Sequence, residues 1–582
     1  MKILGINAYH ADSSACLIVD GEIISAVEEE RFTRIKHWAG FPIKSINYCL
    51  NNSGLKLSDI DFISVNRDNS ANFLRKIIHL LSTFPNPKLI LERIKNREQW
   101  SNLNTQNQIK KNFREDKFRG KYINVEHHLA HLSSCFYVSP FISSCILSID
   151  GFGDFASTVL GYGTNNNIKI DKKVFFPHSM GVFYEAMTRY LGFENYGDEY
   201  KVMGLAPYGK PTFFEKLKKL VLIKKGGEFK LNLDYFLFHK SKQYEVKNNQ
   251  IKTGQIYSKK LIELLGPNRL SNEEITQYHK DIASSTQKIY EEVFFNSLEY
   301  LHKKYKNENI CIAGGCGMNS VANGKILTNT NFKQIYIQPA AGDAGGALGS
   351  ALYTYKIKSE NPKKIFMKHA YWGNKYSNEY IEEVCKKNLK KLEEENCKLE
   401  FYIEIDDLIS KVAKEISNGK VIGWFQGNME WGPRALGNRS ILADPRNSKM
   451  KDILNFKIKR RESFRPFAPS ILREHVKDWF EIDDEVPFMM KVYQIKKDKR
   501  QLIPAVTHVD GSGRLQTVYK ETNEKYFNLI QEFYKITNVP LILNTSFNEN
   551  EPVVCQPEEA LNCFLRTKMD LLVMENYLIQ RI

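Results

Sequence analysis

The chain has 582 residues, and its 83 Lys+Arg against 67 Asp+Glu leave a formal charge of +16. At roughly 100–200 residues per domain this calls for two or more domains, and 42% hydrophobic with 26% charged residues excludes wholesale disorder. The surplus charge lies in Lys/Asn-rich stretches such as Lys240–Lys252, not on a basic helix or an aromatic-interleaved patch, so no nucleic-acid partner is expected.

Ten cysteines are scattered with no C-x-x-C pair, which reads as a reducing, cytoplasmic protein. The N-terminus lacks a basic region followed by an apolar one, and no apolar run reaches about 18 residues. Neither export nor a membrane span is expected.

Residues 2–7 and 15–19 are short apolar runs, and Asp20-Gly21 makes a hairpin turn into Ile23–Val27. The segment "SSCILSIDGFGDFASTVLGYG" repeats this grammar, with a strand ending at Asp150 and another starting near Ser157. Two copies of one strand-turn-strand unit predict an internally duplicated α/β domain. Between them, about 70–118 reads as a helical, Lys/Asn-rich insertion, and a second polar insertion spans about 223–260.

From about 272, apolar residues at helical spacing predict a long helix leading into "NICIAGGCGMNSVANGKIL", a strand, Gly turn and helix. The segment "QIYIQPAAGDAGGALGSALY" gives a strand, a loop and a helix of small residues. A charged stretch, 358–400, reads as a boundary between a domain at 1–357 and another at 401–582. The second begins with a helix around Asp406–Asn418 and the strand Val421–Phe425.

Several constellations carry chemistry. His10, Asp12 and Ser13-Ser14 form a polar turn after the first strand, a place where backbone N–H groups meet anions, although Asp and Ser also favour ordinary turns. His127 and His131 stand at i and i+4 on a helical segment, so both imidazoles project from one face. Asp150 closes a strand, where α/β folds open their clefts, and Asp154 follows. Asp343 sits at a helix N-terminus, where capping is its ordinary role. Two His with two carboxylates form a plausible set for a divalent metal. The glycines of "AGGCGMNS" permit close approach of a nucleotide to the backbone.

In the C-terminal part, Arg434 and Arg439 in "WGPRALGNRS", Lys459, Arg460, Arg461 and Arg465 in "KIKRRESFRPFAPS", Arg514 and Ser546 lie beside Gly, Pro and Ser turns. Arginine is the fork donor for phosphates, and this pattern reads as an oligophosphate site.

The segments "HADSSACLIVDGEIISAVEEERFTRIKH", "HHLAH", "DGFGD", "KVMGLAPYG", "GDAGGALG", "GPRALGNRSILADPR" and "FRPFAPSIL", in order along almost the whole chain, closely resemble the NodU/CmcH/TobZ family of O-carbamoyltransferases. The resemblance implies an α/β N-terminal domain with the duplicated actin-like (ASKHA) fold, similar to the tRNA threonylcarbamoyl transferase TsaD. It implies an α+β C-terminal domain similar to YrdC. That domain would form carbamoyl-adenylate from ATP and carbamoyl phosphate, with Mg2+ accompanying ATP. The N-terminal site would then pass the carbamoyl group to a hydroxyl of a small-molecule acceptor, a sugar or natural product.

Matched by motif, His127, His131, Asp150 and Asp343 would hold iron(II) or another divalent metal. His10, Lys36 and Asp12 would serve transfer, and Gly151, Gly153, Gly314, Gly315 and Asn319 the nucleotide. Arg434, Lys459, Arg465, Arg514 and Ser546 would grip ATP and carbamoyl phosphate. A homodimer is compatible with the resemblance. The competing readings are a tRNA threonylcarbamoyladenosine-type modification enzyme and an ASKHA sugar kinase.

Overall fold

The computed structural model describes residues 1–83, 102–240 and 244–582. It divides into two compact units, Met1–Met367 and Lys368–Ile582. The boundary falls beyond residue 357, and the stretch 358–400 is not merely a connection. It holds helices Asn378–Lys387 and Leu389–Glu394 and the start of strand Cys397–Phe401, all in the second unit. Ile381, Val384, Cys385 and Leu392 form their buried stripe, while Lys and Glu on the outer faces give the segment its polar composition.

In the first unit, β1 (Lys2–Asn7), β2 (Ser14–Val19), β3 (Glu22–Glu28), β4 (Phe62–Val65) and β5 (Lys121–Asn124) form a sheet of order β3-β2-β1-β4-β5. β1, β2 and β3 are antiparallel neighbours, whereas β4 and β5 run parallel to β1. Asp20 and Gly21 join β2 to β3 with φ of 49° and 89°, the two left-handed residues that a tight hairpin with right-handed twist requires.

The second sheet opens with β6 (Ser143–Gly153), β7 (Ala156–Thr164) and β8 (Asn167–Phe175). Two small hairpins follow, β9 (Val221–Ile223) with β10 (Phe229–Leu231) and β11 (Tyr244–Lys247) with β12 (Gln250–Thr253). β13 (Asn309–Ala313) and β14 (Gln334–Tyr336) then complete the order β8-β7-β6-β13-β14. Its first three strands are antiparallel and the last two parallel to β6, as in the first sheet. The duplication predicted from the two strand-turn-strand units is therefore present in both strand order and sense.

Helix His127–Phe136 follows β5 and packs against helix Gly345–Lys358, whose Gly and Ala residues bring the two axes close. The helix predicted from about 272 spans Gln277–Tyr305 and buries Ile282, Ile289, Val293 and Leu301 along one stripe. The insertion at 70–118 contributes helices Phe73–Thr83 and Asn102–Asn112, and residues 84–101 lie outside the described residues.

The second unit is built on one sheet from β15 (Cys397–Phe401), β16 (Ile422–Phe425), β17 (Arg439–Ala443), β18 (Ala468–Leu472), β19 (Lys491–Gln494), β20 (Ser512–Val518), β21 (Leu541–Ser546), β22 (Leu571–Met574) and β23 (Tyr577–Arg581). The order is β15-β23-β22-β16-β17-β21-β18-β20-β19. Helix Ile405–Ser417 packs on helix Glu524–Thr537 through Leu408, Val412, Ile416, Leu529 and Phe533, all buried. Among the described residues, no helix is long and apolar enough to cross a membrane.

Candidate functional site

In the first unit, four predicted side chains converge. One helical turn separates His127 from His131, which brings their Nε2 atoms to 3.0 Å. Asp150 Oδ2 lies 3.1 Å from both Nε2 atoms, and Asp343 Oδ1 lies 3.5 Å from both. Each element is locally arranged for this. Glu126 caps the histidine helix by accepting from the Leu129 N–H, and Asp154 Oδ2 accepts the His127 N–H at 2.9 Å. The β6–β7 ladder breaks between Ile149 and Gly153, a bulge that carries Asp150 out of register. At Gly153 even a Cβ would lie 2.0 Å from the His127 ring, so only glycine admits the imidazole.

Asp343 does not act as a simple helix cap. Its loop is fixed by Ser14 Oγ, which donates to Ala344 O at 2.9 Å, and by the Gly314 N–H, which donates to Ala341 O at 2.7 Å. Asp343 Oδ1 is enclosed without a hydrogen-bond partner, as are His127 Nδ1 and His131 Nδ1. Burial and the neighbouring Asp150 charge both push the Asp343 carboxyl up. Burial pulls His131 down, but the Asp150 and Asp343 carboxylates beside it outweigh it and push the imidazole up to about 9.

Such a set fits a divalent cation. Two ligands about 2.1 Å from one ion at a right angle stand about 3.0 Å apart, the spacing of the two imidazole nitrogens. Two nitrogens and two carboxylate oxygens aimed at one point would also repel one another unless a proton or a cation lay between them.

The other predicted residues of this unit fall into two groups. His10 packs against His127, the rings tilted by 36° with centroids 5.1 Å apart, and its Nε2 is enclosed. The Gly315 N–H donates to Asp150 Oδ1 at 3.0 Å, while Gly151 has open space where a side chain would begin. The Asn319 side chain is held within the protein: its Oδ1 accepts the Ala322 N–H at 3.0 Å and its amide pairs with that of Gln287. Lys36 is exposed, whereas the next residue, His37, places Nδ1 2.8 Å from Asp12 Oδ1. His37 was missed, because nothing in "RIKHWAG" sets its histidine apart from a surface one.

In the second unit, Lys459 and Ser546 meet. The chain leaves helix Met450–Leu454 through a single wide turn, Asn455–Lys459, of the kind that often marks functional positions. The buried Lys459 ammonium donates to Ser546 O at 2.5 Å, Asn548 O at 2.8 Å and Asn548 Oδ1 at 2.8 Å, with Ser546 Oγ at 3.3 Å. Asn548, two residues beyond the predicted serine, was not singled out from sequence.

Arg434 and Arg514 are electrostatic neighbours: burial and then the Arg434 charge hold the Arg514 guanidinium well below its usual range. The loop bearing Arg434 wraps around the buried Glu430, whose Oε1 accepts the N–H groups of Leu436, Asn438 and Arg439 at 2.7, 2.9 and 3.1 Å. Gln516 Nε2 braces the loop through Leu436 O, and Gln516 is in turn held by Ser470 and Asn544. Arg465 pairs with Glu462 at 3.5 Å.

Arg439 departs from the phosphate-binding expectation. It is fully buried, donates to the carbonyls of Gln426, Asn438, Asn374 and Gly427, and lies 3.7 Å over the Phe425 ring. Its two terminal nitrogens donate to backbone oxygens alone, which makes it a brace for the β16–β17 connection.

Two family models match the chain, one described as Carbamoyltransferase N-terminus over residues 2–352 and one as Carbamoyltransferase C-terminus over residues 413–581. The protein sll1178 of Synechocystis sp. is 40% identical over 626 aligned residues, covering 100% of this chain and 96% of that one. The nodulation protein NolNO of Sinorhizobium fredii is 37% identical and covers 99% of this chain and 80% of its own. The nodulation protein NolO of Bradyrhizobium diazoefficiens is 38% identical, with 78% and 79% covered.

Proposed function

Because the chain belongs to the carbamoyltransferase family, we propose that it is an ATP-dependent O-carbamoyltransferase whose two units carry separate half-reactions. The second unit, read as YrdC-like, forms carbamoyl-adenylate from ATP and carbamoyl phosphate. The first, read as a duplicated actin-like (ASKHA) domain, passes the carbamoyl group to a hydroxyl of a sugar or natural product, and AMP leaves. The observation that carries this reading is the convergence of His127, His131, Asp150 and Asp343 on one point.

These four residues would hold a divalent metal, iron(II) on the family resemblance, and when bound it would supply Lewis-acid polarisation of the carbamoyl group. The protein's own residues do the positioning. Asp154 and Glu126 fix the histidine helix, and the Gly315 N–H holds Asp150. In the second unit, Arg434 and Arg514 supply like charges for phosphate oxygens, and Lys459 with Ser546 forms a second polar cluster.

The test incubates the full chain with ATP, carbamoyl phosphate, Mg2+ and iron(II), with a panel of hydroxylated acceptors that includes chitooligosaccharides. Release of AMP and pyrophosphate, with acceptor carbamoylation, supports the reading. Release of ADP would replace it with sugar phosphorylation. An absolute need for threonine, bicarbonate and tRNA would replace it with tRNA modification.

A further inference from the structure

His37 and Asp12 form a carboxylate–imidazole pair outside the metal-binding cluster. Asp12 Oδ1 holds His37 Nδ1 at 2.8 Å, while about a third of the His37 side chain remains exposed (35%, against 28% for Asp12). Both residues sit in the left-handed region, with φ of 53° and 56°, a conformation kept where the surroundings dictate it. The surroundings do so here. Asn7 Nδ2 donates to Ala11 O and Asp12 O, the Glu30 carboxylate accepts the His37 N–H at 2.9 Å, and the Asn249 carbonyl at the β11–β12 tip accepts the Ala39 N–H at 2.7 Å.

The ring is aimed as well as anchored. Tyr196 packs edge-on against it at 5.6 Å between centroids. At Gly197, φ +85°, a Cβ would lie 2.5 Å from His37 Nε2, so glycine keeps that edge of the ring from being blocked. The pair also belongs to the neighbourhood of the donor cluster. Asp12 lies two residues past His10, which packs against His127, and Tyr196 feels the charges of both Asp343 and Asp12.

We propose that His37 accepts the proton of the acceptor hydroxyl during carbamoyl transfer, with Asp12 fixing the tautomer that presents Nε2. This rests on the O-carbamoyltransferase reading. The acceptor oxygen bonds to the carbamoyl carbon, and the bond from that carbon to the adenylate oxygen breaks. AMP leaves with that electron pair, and the hydroxyl proton passes to Nε2 and then to water. His10, whose Nε2 is enclosed against His127, is less well placed to exchange a proton with solvent than His37.

The groups facing His37 are Asp12 from the β1–β2 turn, Glu30 from helix Glu30–Thr33, Tyr196, and Glu199 from helix Glu199–Leu205. Burial pulls the imidazole down, but the charge and hydrogen bond of Asp12, with Glu30 and Glu199, push it up to about 9. Transfer limited by a base of this kind rises with pH and levels off near that value.

His37→Gly suits the positive φ and tests the role in the full-length chain. Transfer, read as AMP release with water and with chitotetraose as acceptors, should fall about 10²–10⁴-fold, and added 4-methylimidazole should restore at least part of it. Pyrophosphate release should persist. Asp12→Asn should move the pH limb of transfer downward, and ¹⁵N-histidine NMR should show the His37 titration moving with it. Wild-type transfer rates in His37→Gly and in His37→Gln, or a His37 that titrates in the ordinary range in the wild type, would overturn the proposal. A wild-type chain that forms no carbamoyl-adenylate would instead overturn the parent reading, and the NMR titration would still decide whether the pair exists.

Discussion

The two units gather charge in opposite ways. In the first, carboxylates and imidazole nitrogens converge on one point, with Asp150 shared between two histidines. In the second, cations are gathered: Arg514 next to Arg434, and an ammonium, Lys459, cradled by the carbonyls of Ser546 and Asn548. A cluster of electron-pair donors suits a cation, and a cluster of fork donors suits phosphate. The difference teaches that the two units offer ligands opposite signs of charge.

The sharpest break of that comparison is Asp150→Ala, which removes the carboxylate that hydrogen-bonds both histidines. Acceptor carbamoylation should fall by more than about 10³-fold while pyrophosphate release continues, as followed by parallel assays of the two half-reactions. Arg434→Ala should do the reverse, cutting adenylate formation about 10²–10³-fold. It should leave transfer from supplied carbamoyl-adenylate intact. Equal loss of both half-reactions in either variant would mean that the units do not divide the work.

Arg439→Met sharpens the contrast within a single loop. Its guanidinium already serves four carbonyls, so its loss should appear as lost stability of the second unit, roughly 3–5 kcal/mol, measured by urea unfolding. Mg·ATP affinity at a temperature where the variant stays folded should change little. A selective loss of ATP affinity at full stability would return Arg439 to the phosphate site.

The smallest effect is a pH dependence. The His37 pKa is raised above its ordinary value of about 6.5, so the Asp12 pair contributes stability that is complete below that pH and is lost as pH rises through about 9. The gap in urea midpoint between wild type and Asp12→Asn should therefore be present at pH 6 and close by pH 10. The partial exposure of both side chains keeps it small.

The convergence of His127, His131, Asp150 and Asp343 was legible because these residues obey local rules: i, i+4 spacing on one helix, and carboxylates where strands or loops end beside small residues. The internal duplication was legible for the same reason, since strand, tight turn and strand recur. His37 was not, because its partner comes from a turn 25 residues earlier, and only a left-handed backbone brings them together. Arg434 and Arg439 look alike in sequence, each in a Gly-rich turn. Burial separates them, and burial follows from the carbonyls that β16 and β17 leave around Arg439. The 358–400 segment reads as a linker in sequence because the Lys and Glu faces of its amphipathic helices dominate its composition.

The β11–β12 hairpin holds the loop beside its tip by backbone. Its tip holds the 37–40 loop through the backbone carbonyl of Asn249, and Asn248 and Asn249 turn the chain with φ of 53° and 58°. At its base, Tyr244 OH donates to Glu185 at 2.7 Å. A contact made by a carbonyl is indifferent to side-chain identity but sensitive to register, and losing one residue would turn every position of a strand to its other face. Substitution of the outward residues of this hairpin should thus leave the 37–40 loop in place, whereas a change in its length or in its left-handed tip should displace it.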